Sequence, residues 1–193
     1  MSTPERTSPA PLLLRGAIYG MVASMAMAMF AMIASVTYQH HGFFTPLVHI
    51  SALLGSPDAM MTSVSQAMAG NHFWFAAGPA VLGLMIHMVT GAAYGMVFVL
   101  IAQRVRRSLV IPAGMVYGLA VFVVSSFIGL PIAARLTGSG PVIANMAKMV
   151  GWPTFAVEHL MFGTVLGLLT FAVGRNGSGS REAHVENHST VKV

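Results

Sequence analysis

Two histidines and one glutamate stand out among the side chains that could carry chemistry. His87 and His159 are each followed by glycines four and eight residues later, and Glu158 directly precedes the second histidine. Imidazole changes its charge near neutral pH, binds transition metals and serves as an axial ligand of haem iron. These three residues therefore predict a site for protons or a metal ion, with a bis-histidine haem b site as the alternative.

Glu158 is the one acidic residue inside any long apolar run of the chain. A charged side chain at the centre of a bilayer costs roughly 2.5–3.5 kcal/mol or more, so it needs a partner or a water-filled cavity. We expect the partner to be His87, His159 or Arg135.

A purely structural interpretation of the two histidines stays open. Each neutral imidazole would hydrogen-bond a carbonyl or hydroxyl group of a facing helix, and such contacts stabilise membrane bundles modestly. Tyrosine hydroxyls are the candidates among side chains, namely those of Tyr19, Tyr94 and Tyr117.

Other metal-binding side chains are concentrated in and after the first apolar run, up to residue 72. Four histidines follow the first apolar run: His40, His41, His49 and His72. They favour a pH-responsive face or transition-metal capture, although their spacing matches no specific metal site. Four methionines form a helical stripe: Met21, Met25, Met29 and Met32. Thioethers bind Cu(I), but methionine is also a common apolar filler, which we favour here.

Long apolar runs must position these side chains. The chain is 55% hydrophobic and 8% charged, far from the balance of an ordinary soluble domain. Four runs reach the roughly 20 residues that cross a bilayer as a helix: about 14–38, 79–102, 109–133 and 152–173. We predict an all-α membrane domain over residues 12–174. The polar tails, 1–11 and 175–193, are predicted to be disordered.

Basic residues predict the orientation of these spans. Eight flank one side of the runs: Arg6, Arg15, Arg104, Arg106, Arg107, Arg175, Arg181 and Lys192. The other side carries Arg135 and Lys148. Because cytoplasmic loops are enriched in Lys and Arg, both termini are expected in the cytoplasm. The two histidines then lie in the outer half of the membrane.

The second half of the chain resembles the first. Both hairpins open with a Gly-x-x-Tyr-Gly pattern and continue with the His-plus-glycine pattern, so we predict two tandem, parallel repeats. Their paired glycines are Gly16, Gly20, Gly91 and Gly95 in the first hairpin and Gly114, Gly118, Gly163 and Gly167 in the second. Glycine at four-residue spacing lets helices pack closely. The alternative is that these glycines make room for a flat cofactor or an identical partner.

The first connection, residues 38–78, is too long for a simple turn. An apolar stretch at 43–54 and a cap-like Ser56-Pro57-Asp58 predict one or two short interfacial or re-entrant helices. They would form a lid over the outer mouth of the bundle.

Several functional classes are excluded or unsupported. The chain has no cysteine, which excludes disulfides and thiol catalysis. Its +5 charge is spread over short membrane-flanking segments, so we expect no nucleic-acid partner. No catalytic motif is present, and we predict that the protein is not an enzyme.

One family resemblance bears on this sequence. The Glu158-to-Gly163 segment, the turn at Arg104–Arg107 and the turn at Pro131 resemble uncharacterised four-helix bacterial inner-membrane proteins of the YagU-like type, over about residues 83–174. The resemblance implies four-helix topology and a link to acid tolerance. It supplies no site residues.

We therefore expect a multi-pass protein of the bacterial inner membrane. Its outer-half histidines and Glu158 would bind or sense protons or a metal ion. The alternatives are a haem b-binding electron-transfer protein and a structural subunit of a membrane complex. Besides the lipid bilayer, the expected partners are further copies of the chain or other subunits.

Overall fold

The computed structural model describes residues 9–189, with side chains to Ala172. Within that part the chain is helical and contains no strand. The helices are α1 Ala10–Thr37, α2 Thr45–Ser51, α3 Asp58–Met68, α4 Ala77–Ala102, α5 Val110–Val124, α6 Leu130–Thr137, α7 Gly140–Ala144, α8 Met146–Val150 and α9 Trp152–Ser189. A 3₁₀ turn, Arg107–Leu109, leads into α5, and a π-helical segment, Ser125–Gly129, joins α5 to α6.

Four helices are long and apolar enough to cross a membrane, which confirms the predicted number of spans. They are α1, α4, the continuous helix Arg107–Thr137 and the part of α9 up to Ala172, with 28, 26, 31 and 21 residues. Large apolar side chains are exposed along them, including Val89 and Val116. Such a surface suits contact with lipid.

The ends of the chain lie partly outside this description. The expected N-terminal tail falls mostly on residues 1–8, and residues 190–193 are likewise outside the described part. The backbone of α9 continues to Ser189, within the segment that composition assigns to a C-terminal tail. Disorder of residues 175–193 stays a prediction.

The spanning helices form two hairpins. In the first hairpin α1 packs along α4, and in the second α5 packs along α9. The hairpins meet mainly through α1 and α9, whereas α4 contacts α5 and α9 at few positions. The hairpins therefore pack tightly through α1 and α9 and more loosely through α4 and α5.

Glycines allow the close approach inside each hairpin. A Cβ atom on Gly20 would overlap the carbonyl of Gly91, and one on Gly118 would overlap the carbonyl of His159. In the repeat pattern Gly118 matches Gly20, and Gly163 matches Gly91. Gly118 nevertheless faces the carbonyl of His159, which lies four residues, about one helical turn, before Gly163. The two hairpins thus share the same kind of contact in registers that differ by one turn.

Short helices cover one end of the bundle, which we call the capped end. There α2 packs on α4, where the carbonyl of Leu47 lies against Gly83. An apolar cluster joins the end of α2 to the second hairpin. Ala52, the residue after α2, packs there with Ala134 of α6, Ile143 of α7 and Met146 of α8. The opposite end, which carries Arg104–Arg107, is called the arginine end.

Three side-chain hydrogen bonds tie the two halves together at the capped end. The hydroxyls of Tyr38 and Thr154 lie 2.9 Å apart. Gln39 Nε2 donates to the carbonyl of Val150 at 2.7 Å, and His49 Nε2 donates to the carbonyl of Val142 at 2.9 Å. These bonds connect the first hairpin and α2 to α7, α8 and α9.

Candidate functional site

A cavity of about 290 Å³ lies between the two hairpins, beneath the short helices of the capped end. Its walls come from α1, α2, α4, the π-helical segment, the α7–α8 region and α9. Apolar side chains form most of the lining, with few polar groups among them. A largely apolar concavity with a small set of polar groups is the usual form of a small-ligand site.

Glu158 is the acidic group of this cavity. It lies on α9, and only 4% of the residue is exposed. Within the part of the chain that the structure describes, no hydrogen-bond or ion-pair partner is found for its carboxyl group. The lining contains no Lys or Arg, and the expected partner Arg135 is exposed on α6, away from the cavity. A buried, unpaired carboxylate is energetically costly.

His87 connects the two helices of the first hairpin. Its Nε2 lies 3.0 Å from the backbone carbonyl of Ser24 on α1 and donates to it. The carbonyl oxygen can only accept, so the proton of the neutral imidazole is placed on Nε2. The ring also lines the cavity.

His159 hydrogen-bonds within its own helix instead. Its Nδ1 donates to the carbonyl of Phe155 at 2.7 Å, and its ring packs against Phe155 with centroids 4.5 Å apart. In the neutral ring Nε2 then carries a lone pair. No partner for this atom is found among the described residues. The two matched histidines thus share a cavity but use different nitrogens and different partners.

The tyrosines considered as histidine partners form a separate contact between α4 and α5. Tyr117 donates its hydroxyl to the carbonyl of Tyr94 at 2.7 Å, and the Tyr94 hydroxyl lies 3.2 Å from Ser125 Oγ. Tyr19 packs against the central apolar cluster. Backbone carbonyls, rather than tyrosines, receive the histidine N–H groups.

Of the four other histidines whose side chains the structure describes, one lines the cavity and three do not. His49 on α2 is buried and lines it. Burial lowers the pKa of His49 below its usual 6.5, the bond to Val142 acts in the opposite sense, and the nearby His41 lowers it further. The three that lie outside the lining are His40, His41 and His72. The Nδ1 atom of His72 is buried and has no partner among the described residues.

Two observations bear on the metal and haem alternatives. In the described residues no group of three or more His, Asp or Glu side chains is placed to hold a metal ion. Nε2 of His87, the nitrogen nearest the partner helix, is occupied by the carbonyl of Ser24. Haem ligation through that atom would require breaking this bond.

The methionine stripe of α1 does not face the cavity as a group. Met21, Met25 and Met29 are exposed on the outer surface, whereas Met32 is buried in a small cluster near α2. Because three of the four thioethers point outward, they suit lipid contact as apolar fillers.

The π-helical segment is a part of the site that the sequence interpretation missed. Ser125 and Gly129 of this segment line the cavity. Pro131 follows it, and proline removes a backbone donor and crowds the carbonyl four residues earlier, here that of Phe127. Interruptions of this kind are frequent at functional sites. Pro131 inside a long apolar run was the available signal.

Comparisons with known proteins supply no information on the function of this site. No family model, curated protein or solved structure matches the chain. The resemblance to YagU-like proteins stays a prediction, and the functional argument depends on the geometry of the cavity.

Proposed function

We propose that this chain is a multi-pass protein of the bacterial inner membrane that takes up and releases protons at Glu158, in the cavity between its hairpins. The observation that carries the proposal is that Glu158 is a buried residue of the cavity lining whose carboxyl group has no hydrogen-bond or charge partner among the described residues. Membrane-embedded acidic residues commonly mark proton or ion pathways. The protein would act as a proton-responsive element and not as an enzyme.

The groups that face Glu158 support this role. The titratable side chains of the lining are His49, His87, His159 and Tyr94, and none of them is a permanent cation. An ionised carboxylate in this setting gains no strong charge pairing, and a proton removes the cost of its burial. The two spanning histidines have their single N–H groups directed to carbonyls, which suits neutral imidazoles.

The proposed orientation puts the cavity near the external medium. Under the positive-inside rule, the arginine end is cytoplasmic and the capped end is external. Protons would then exchange between Glu158 and the outside through the capped end. This arrangement agrees with the acid-tolerance link that the YagU-like resemblance implies, and with two parallel hairpins that bring His87 and His159 to one cavity.

Infrared difference spectroscopy tests the proposal directly. The chain has only five acidic residues, so the carboxyl region of its spectrum is simple. The purified protein in lipid nanodiscs is expected to show a protonated-carboxyl band that changes with pH and disappears in Glu158→Gln. Asp58→Asn, which changes an exposed acid of α3, should leave that band in place.

A titrating band that persists in Glu158→Gln would refute the proposal. So would a wild-type protein that shows no buried carboxyl titration over the accessible pH range. Metal analysis of the same sample separates the metal-site alternative, because tightly bound transition metal that depends on His87 and His159 would identify a metal site instead.

A further inference from the structure

The cavity is larger and more apolar than a proton site requires. A proton needs one acceptor and a path, whereas this cavity of about 290 Å³ exceeds many times the ~10–15 Å³ of cavity space that one water molecule needs. Apolar cavities of this kind favour organic ligands over water. The volume lies just below the range of drug-sized pockets, so the ligand is small.

The charge of the lining selects among such ligands. Glu158 is the acidic residue of the lining, and no Lys or Arg accompanies it. An anion would therefore meet a carboxylate without any compensating cation. A ligand with one positive charge would instead supply the partner that the carboxyl group lacks among the described residues.

Aromatic side chains of the lining can contact the apolar part of such a ligand. Phe155 and Phe162 lie on the same helix as Glu158, and Tyr94 lines the wall formed by α4. Aromatic rings bury apolar groups and attract cations to their faces. Phe162 is almost completely buried, and Phe155 is fixed by its contacts with Phe122 and His159. Part of the apolar wall is therefore preformed.

We propose that the cavity binds a small apolar organic monocation, such as an alkyl- or arylammonium ion, which forms an ion pair with Glu158 and packs its apolar part against Phe155, Phe162 and Tyr94. The inference deepens the proposed function, on which it rests. When the cation enters, the carboxyl group releases its proton, and when the cation leaves, it takes a proton up again. Glu158 is thus either ionised and paired with the cation, or protonated and neutral in the empty cavity.

Equilibrium binding of benzyltrimethylammonium tests this exchange. The full-length protein is placed in nanodiscs of phosphatidylcholine, a zwitterionic lipid that does not itself attract cations. Binding is expected to be at least about thirtyfold weaker in Glu158→Gln, the range typical for removing one partner of a buried charge pair. Binding should also weaken as the pH falls, and each bound cation should release one proton into a weakly buffered solution.

Matched ligands and variants isolate the role of charge. Neopentylbenzene has the same shape without the charge and is expected to show no dependence on Glu158. Glu158→Asp keeps the carboxylate and should retain part of the binding. Unchanged binding of neopentylbenzene to Glu158→Gln would exclude misfolding as the cause of the loss in that variant. Asp58→Asn should bind like the wild type.

The outcomes separate this inference from the proposed function. If Glu158 titrates in the infrared spectrum but benzyltrimethylammonium does not bind, or binds equally well to Glu158→Gln, the cation site is refuted and the proton site stands. If the cation binds through Glu158 without releasing a proton, the cation site stands and the proton function is refuted. Binding of neopentylbenzene as tight as that of the cation would refute the charge-based recognition.

Discussion

At the scale of single residues, His49 is the group whose protonation is most directly linked to the capped end. It is buried in α2 and donates to the carbonyl of Val142 on α7, so its ring joins the two halves of the chain. Burial lowers its pKa below 6.5, the bond to Val142 partly opposes this, and His41 adds to the lowering. The unfolded chain therefore binds a proton below pH 6.5 that the folded chain resists.

The first residue-scale prediction follows from that difference. The contribution of neutral His49 to stability is complete above pH 6.5 and is lost progressively as the pH falls below that value. Thermal unfolding in detergent, followed between about pH 8 and about pH 5, should show a decrease that is smaller in His49→Gln than in the wild type. His40→Gln changes an exposed histidine and should preserve the full decrease. An equal decrease in wild type and His49→Gln would contradict the prediction.

His49→Ala addresses the hydrogen bond itself. It leaves the carbonyl of Val142 without this donor, which typically costs about 1–3 kcal/mol for a buried group. The loss is expected in full above pH 6.5, where the ring is neutral, and it should shrink as the pH falls below that value. The same melting experiment at the alkaline end of the range would measure it.

The sequence indicated residues that share the cavity, but it did not indicate their contacts. The shared spacing of His87 and His159 indicated that the two belong together, and the structure brings both to one cavity. Their partners depend on side-chain rotamers and on the rotation of each helix about its axis, which no local pattern specifies. Hence His87 bonds across to α1 whereas His159 bonds to its own helix.

At the scale of helices, the glycine contacts make a sharp prediction. Gly20→Ala places a Cβ atom where the carbonyl of Gly91 lies, and Gly118→Ala places one against the carbonyl of His159. Backbone atoms cannot rotate away, so α1 and α4, or α5 and α9, must separate. Each variant should lose about 1–3 kcal/mol of stability, the usual cost of overpacking.

Gly78 provides the matched control for these substitutions. It lies in the first turn of α4, with open space where the methyl group of an alanine would lie. Gly78→Ala should be neutral or stabilising by up to about 1 kcal/mol, because alanine favours helices over glycine. Thermal unfolding of the three variants under identical detergent conditions compares them. A neutral Gly20→Ala would show that the helices are not held at this distance.

Helix positions were largely accessible from the sequence, and their internal irregularities were not. Apolar length gave the four spans, because a chain in lipid must satisfy its backbone within helices. Apolar length does not predict the π-helical segment before Pro131. It also does not predict that the glycine contacts of the two hairpins differ by one helical turn. The first arises where a single proline disturbs a regular helix, and the second depends on individual contacts between helices.

At the scale of the whole molecule, the arrangement of the hairpins creates the cavity. Close contact of α1 with α9, and sparser contact of α4 with α5, leaves the cavity between the hairpins. The hydrogen bonds of Tyr38, Gln39 and His49 then hold the two halves together at the capped end. An exact twofold arrangement would make the two interhairpin contacts equal. Their inequality is a tertiary property that repeat patterns alone do not reveal.

The orientation of this asymmetric bundle decides which solution supplies protons to Glu158. The wild-type chain contains no cysteine, so single cysteines report on orientation without background. Ser56→Cys and Asn145→Cys place exposed thiols at the capped end, and Ser108→Cys places one at the arginine end. Under the positive-inside rule, a membrane-impermeant maleimide should label the first two in intact spheroplasts and the third only after permeabilisation. The reverse pattern would put the cavity near the cytoplasm, and Glu158 would then exchange protons with the cytoplasm instead of the external medium.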